Sequence, residues 1–183
     1  MNYFKSMLRI LKMDTSVYNE LAQTGRPIWY CMINITLLGL IYGCSCIFFA
    51  QNLLDQQSVA ATSFNPVMIL LVGISIAFIM HAGMALFIWV FCRGIGGCQD
   101  FMPPYLNIGI AGIALWPLAP ALSMMQVLSA GTVATGYAVI AAIYGLTIMF
   151  MAVKAVAGLS NLKMTLAGVG TIIYIGCFLY LWT

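Results

Sequence analysis

Residues 66–93 read PVMILLVGISIAFIMHAGMALFIWVFCR. From Pro66 to Cys92 the stretch holds no Asp, Glu, Lys or Arg, and Arg93 ends it. About 20 mostly apolar residues carry a helix across the hydrocarbon layer. A charge placed there costs on the order of 2.5–3.5 kcal/mol even on the mild insertion scale. The stretch therefore reads as a membrane span. The rest of the chain repeats its pattern: 63% of the 183 residues are apolar and 6% are charged, where soluble domains carry about 25%.

Five such spans are expected. The first runs from Ile28 to Ala50, and a polar segment from Gln51 to Asn65 follows, with Asp55 in it and Pro66 closing it. The second is Pro66–Cys92, followed by a loop from Arg93 to Pro103. The third runs from Pro104 to Met125, with a tight turn at Gln126–Gly131. The fourth is Thr132–Val153, with a loop from Lys154 to Lys163, and the fifth is Met164–Thr183. The expected fold is all-α: a polytopic bundle of five transmembrane helices over residues 28–183, preceded by a short amphipathic N-terminal helix within residues 1–27. The length suits one such domain.

Lys5, Arg9, Lys12, Arg26, Arg93, Lys154 and Lys163 are all the basic residues, and in this scheme all seven fall on one side. The opposite side has only Asp55. Basic loops stay in the cytoplasm, so the N-terminus is expected inside and the C-terminus outside, in a bacterial inner membrane. Asp14, Glu20 and Arg26 interrupt the chain before any apolar run. No cleavable leader is expected, and the first span serves as an uncleaved anchor. The net charge of +3 sits at the membrane edge and suggests no nucleic-acid partner. Expected partners are the lipid bilayer and other membrane proteins or a second copy of the chain.

Tyr3, Phe4, Met7, Leu8 and Leu11 recur at helical spacing, with Lys5, Arg9 and Lys12 elsewhere on the wheel. Such a helix suits an anionic leaflet or the surface of a partner protein. Asp14, Thr15 and Ser16 are candidate caps for a second short helix running to Gly25.

His81 is the one histidine and lies near the middle of the second span. An ionisable group at that depth reads as a proton relay, ion ligand or substrate contact. The competing reading is a neutral imidazole bonded to backbone, to Asn34 or to Asn107. Pro117 and Pro120 interrupt the third span, freeing carbonyls near Ile113 and Trp116. They either line a polar cavity with Asn107 or only kink the helix. Gly39 and Gly43 form a GxxxG pattern for close helix approach. Met80 and Met84 flank His81 and Cys92 lies three turns on along the same face; soft sulfur with imidazole would suit copper(I), but Met and Cys also fill apolar gaps, and no metal or cofactor is expected. The six cysteines read as small hydrophobes, and Cys44 and Cys46 are too close for an ordinary disulfide.

No span carries an acid, which excludes a paired-aspartate intramembrane protease. There is no GxSxG and no P-loop, and one histidine cannot supply two-His haem ligation. No catalytic residue and no enzymatic activity are expected.

Arg93-Gly94-Ile95-Gly96-Gly97 and Lys154-Ala155-Val156-Ala157-Gly158 each follow a span, with a basic residue ahead of glycine. They suggest two like-oriented hairpins, spans two–three and four–five. Together with Leu115-Trp116-Pro117 and the entry Arg26-Pro27-Ile28-Trp29, these turns resemble the Ypt-interacting-protein (Yip) membrane domain family. The resemblance runs from about residue 20 to the end. It implies a five-helix bundle with a cytoplasmic N-terminus and a non-enzymatic role as a scaffold or accessory subunit. Eukaryotic relatives are linked to Rab-type GTPases and membrane traffic, whereas this compact form resembles prokaryotic relatives. The family's motif places Arg93, Gly96, Gly97, Lys154 and Gly158 in its cytoplasmic turns and supplies no counterpart for His81. The alternative is a small-solute or ion permeation protein using His81, Asn107 and the proline break.

Overall fold

In a computed structural model the chain is described over residues 2–57, 65–127 and 131–182, and among these every regular element is helical. Two short helices come first, α1 (Tyr3–Leu11) and α2 (Ser16–Gln23). Then follow α3 (Pro27–Gln57), α4 (Pro66–Gly94), α5 (Met102–Ala111), α6 (Leu118–Val127), α7 (Thr132–Ala157) and α8 (Asn161–Trp182). A tight 3-10 turn, Gly112–Leu115, joins α5 to α6.

Among the described residues, three helices are long and apolar enough to cross a membrane by themselves: Pro27–Asn52, Pro66–Gly94 and Thr132–Ala157. The bent pair Met102–Leu115 and Leu118–Met125 makes a fourth when taken together, with an angle of 73° between its halves. Their outer surfaces are hydrocarbon: Ile79 and Ile140 are each 70% exposed and Val133 is 88% exposed. An exterior of this kind is stable against lipid and not against water. Hydroxyls on these helices turn back on their own backbone, Ser45 Oγ to the Ile41 carbonyl and Ser75 Oγ to the Leu71 carbonyl, both at 2.8 Å. That satisfies them without solvent.

Helix ends differ from the hydropathy boundaries for local reasons. α3 continues past Ala50 to Gln57, because Gln51 to Gln57 contains no glycine or proline to stop it. Residues 58–64 of the expected polar segment and 128–130 of the expected turn lie outside the described residues. α4 starts where Asn65 Oδ1 accepts from the Val67 and Met68 amides, at 3.1 and 3.3 Å, with Pro66 in the first turn. That is a side-chain cap ahead of a proline that needs no amide partner. α7 runs on through Lys154, whose charge suits a helix C-terminus, and stops at Gly158, where φ is +63°. The expected ten-residue loop therefore shrinks to Gly158–Ser160, and α8 begins at Asn161. α5 begins two residues ahead of expectation, at Met102, with Pro103 and Pro104 in its first turn.

α3 and α4 form an antiparallel pair with touching backbones. A Cβ at Gly39 would lie 2.6 Å from Ile74 Cα, and one at Gly73 would lie 2.9 Å from the Gly39 carbonyl and 3.1 Å from Gly43 Cα. Gly43 in turn faces Leu70. This register carried along the pair sets Pro27 opposite about residue 86, so α3 starts ~12 Å short of the end of α4 at about 1.5 Å per residue.

The N-terminal helices are seated against the bundle. Met7, Ile10, Val17, Tyr18 and Leu21 are buried in the same core as Ala85, Ala111, Ala114 and Ala152. Tyr144 Oη of α7 donates to the Leu11 carbonyl at 2.6 Å, about 20 Å along α7 from its end at Ala157. The apolar stripe of α1 thus divides: Tyr3, Met7 and Leu11 turn to protein, while Phe4 (78% exposed) and Leu8 face outward.

Candidate functional site

Register decides what surrounds His81. Seven residues beyond Ile74 on α4, it meets α3 near Cys31: the Cys31 Sγ–His81 Nε2 distance is 3.6 Å, and both residues are buried. The Tyr105 ring of α5 covers the imidazole at 4.4 Å between centroids. Gly109, one turn further along α5, makes the fit possible. A Cβ there would lie 3.0 Å from His81 Cε1 and 3.1 Å from Nε2, and would collide with Cys31 Sγ. Imidazole and thiol are therefore packed by a tyrosine face on one side and a bare backbone on the other.

Asn34, one turn past Cys31, is fully buried and ties three segments together. Tyr3 Oη of α1 donates to its Oδ1 at 2.5 Å. Its Nδ2 donates to the Ile110 carbonyl at 2.7 Å and lies 3.3 Å from Met7 Sδ. Trp116 Nε1 donates to the Asn34 backbone carbonyl at 3.2 Å. The Ile110 carbonyl sits where the helix tightens toward the 3-10 turn, a change that disturbs i+4 pairing, and the asparagine amide satisfies it. Asn107 faces elsewhere: its Nδ2 donates to the Ala152 carbonyl of α7 at 3.2 Å. The reading that gave His81 an asparagine partner is thus corrected. Neither Asn34 nor Asn107 bonds it, because each is held by a backbone carbonyl, and Cys31 stands in their place.

Three carbonyls at the proline break also have donors within the chain. The Ile113 carbonyl, deprived of a Pro117 amide, accepts from the Trp116 amide at 3.2 Å. Tyr137 Oη donates to the Pro117 carbonyl, and Ser123 Oγ donates to the Pro120 carbonyl, each at 2.9 Å. Unpaired carbonyls at this depth would cost about 1–3 kcal/mol each, and these three have donors.

The two basic glycine turns lie against each other. Gly96 adopts φ +89°. Gly97 has no room for a Cβ, which would lie 2.8 Å from the Cys92 carbonyl and 3.1 Å from the Ala157 carbonyl. The Cys98 amide donates to the Ala157 carbonyl at 3.1 Å, so the first turn caps the end of α7. Lys163 Nζ donates to the Ile95 carbonyl at 2.6 Å, so the head of α8 caps the end of α4. Lys154 Nζ donates to Asn161 Oδ1 at 2.8 Å, and Arg93 lies over the Trp89 ring at 5.2 Å.

At the N-terminus Arg9 forks onto Glu20, with 2.7 and 2.8 Å contacts, and its Nε reaches Asp14 at 2.8 Å. The Ser16 hydroxyl and then Arg9 hold the Asp14 carboxyl below its ordinary pKa, and Arg9 does the same for Glu20. Burial pushes the Tyr18 phenol up, and its Oη is the one buried side-chain polar atom without a partner among the described residues.

Cys31, Tyr105 and Gly109 were missed as neighbours of His81. The signal was present in the GxxxG pattern, since seating Gly39 against Ile74 places position 81 near position 32. Among the described residues, no three His, Cys, Asp or Glu side chains gather at one point. No protein-family model, curated protein or solved structure matches the chain.

Proposed function

We propose that the chain is a non-enzymatic five-span membrane protein of the Yip type, a scaffold or accessory subunit of a larger assembly in a bacterial inner membrane. Its N-terminus and both basic turns are cytoplasmic, its C-terminus is outside, and α8 is the fifth span. The observation that carries this reading is the saturated polar seam. Asn34, Asn107, Cys31 and the Ile113, Pro117 and Pro120 carbonyls each meet a partner within the chain. A permeation path needs polar groups aimed at water or at solute, and these are aimed at one another. The outward faces, by contrast, are broad and apolar, and in lipid such faces associate by packing.

The test is reconstitution. Photobleaching of single molecules extracted directly into lipid nanodiscs is expected to give stoichiometric complexes, either with another membrane protein or with itself. A uniform monomer with no bound subunit overturns the reading. So does ion or proton flux in proteoliposomes that His81→Ala abolishes.

A further inference from the structure

Between α4, α7 and α8 lies a half-enclosed groove of about 370 Å³, a volume within the range of small-ligand sites. Its walls are formed by side chains such as Met84, Ile88, Leu146, Phe150 and Val169. Three threonines also border it, yet each hydroxyl is committed to the carbonyl four residues earlier. Thr147 donates to Ile143 at 2.7 Å, Thr165 to Asn161 at 3.0 Å and Thr171 to Ala167 at 2.8 Å. The groove therefore offers an occupant only apolar contact, which selects hydrocarbon.

At one end the groove is lined by Val153 and Met164, the chain neighbours of Lys154 and Lys163. Both lysines are exposed, and the acceptors that hold them, Asn161 Oδ1 and the Ile95 carbonyl, are neutral. Both salt bridges among the described residues belong to Arg9, so these two positive charges stand uncompensated. A hydrocarbon slot with two exposed cations next in sequence to one end of its lining is complementary to an amphiphile with an anionic head.

We propose that this groove binds an anionic glycerophospholipid, with one acyl chain along α7 and α8 and its phosphate between Lys154 and Lys163. The proposal rests on the functional reading only in placing these turns at the cytoplasmic leaflet.

Native mass spectrometry of the full chain in mild detergent, with dioleoylphosphatidylglycerol and dioleoylphosphatidylcholine at equal concentration, tests it. The wild type is expected to retain the phosphatidylglycerol preferentially. The double variant Lys154→Gln/Lys163→Gln is expected to lower that retention roughly thirty-fold, and Lys154→Arg/Lys163→Arg to keep it, which separates lost charge from lost structure. Val169→Trp, at a half-exposed position on the wall, is expected to displace both lipids. Equal retention of the two lipids by the wild type, indifference to the Gln variant, or lipid kept by the Trp variant each overturns the proposal. These readouts do not depend on membrane orientation, so a failure of the cytoplasmic assignment leaves them unchanged and is recognised separately.

Discussion

Replacing Gly73 by alanine tests the α3–α4 seam on which the placement of His81 depends. The added Cβ meets backbone on three sides, at 2.9 Å from the Gly39 carbonyl, 3.1 Å from Gly43 Cα and 3.2 Å from Gly43 N. Ordinary contact begins at 3.4 Å, so the helices must part by about 0.5 Å (3.4 − 2.9). Backbone cannot rotate aside as a side chain does, and overpacking of this kind costs about 1–3 kcal/mol. Alanine also gains about 1 kcal/mol of helix propensity over glycine, which partly offsets the clash. Gly83→Ala, on the same helix, is the control: its Cβ meets only Tyr174 Oη at 3.9 Å, so it collects the propensity gain alone. Subtracting the two variants removes the propensity and leaves the contact, about 2 kcal/mol. At 2–4 °C per kcal/mol for a chain of this size, Gly73→Ala should melt about 4–8 °C below Gly83→Ala. Thermal unfolding in a mild detergent, followed by tryptophan fluorescence, reads the difference. Equal melting temperatures, or Gly73→Ala the more stable, would refute the register and with it the Cys31–His81 contact.

Other expectations are as specific. Asn34→Ala leaves the Ile110 carbonyl and the Tyr3 hydroxyl without their partner and should cost about 2–4 kcal/mol, with residues 1–24 becoming protease-sensitive; continued protection would contradict the seating of α1. Asp14 and Glu20 have depressed pKa values in the folded chain, so their contribution is complete above the unfolded pKa and is lost as pH falls through the folded one. Hydrogen-exchange protection in α1 and α2, taken relative to the unfolded chain at the same pH, should therefore fall as pH drops below about 4, and a hairpin equally protected at pH 2 would count against the Arg9 network. A version of the chain keeping only Cys98 should react with a membrane-impermeant maleimide in inside-out vesicles and not in right-side-out ones; the reverse pattern would invert the topology.

How much of this was readable in advance depends on how local the cause is. The apolar stretches announce themselves because Asp, Glu, Lys and Arg are kept to their ends or outside them. Their ends were misplaced where helix propensity outlasts hydropathy, as at Gln51–Gln57 and Lys154–Ala157. The prolines mark a break between α5 and α6, but the 73° between these helices belongs to the assembled bundle, where both lie against α3 and α7. The clasp between the basic turns is long-range: the Cys98 amide and the Ala157 carbonyl are far apart in sequence, and only the assembled bundle brings them together. Cys31 as the neighbour of His81 is legible only once the glycine register is applied.

The hydrogen bond from Tyr144 to Leu11 joins residues 133 positions apart. A ribosome adding about 5–20 residues per second releases Leu11 roughly 7–27 s before Tyr144 exists. For most of that interval the chain already contains Asn34, on which Tyr3 and Met7 rest, but not the α7 donor that ties down the end of α1. Docking of the N-terminal helices is therefore completed from the far half of the chain, since the Leu11 carbonyl gains its donor only once α7 has been made.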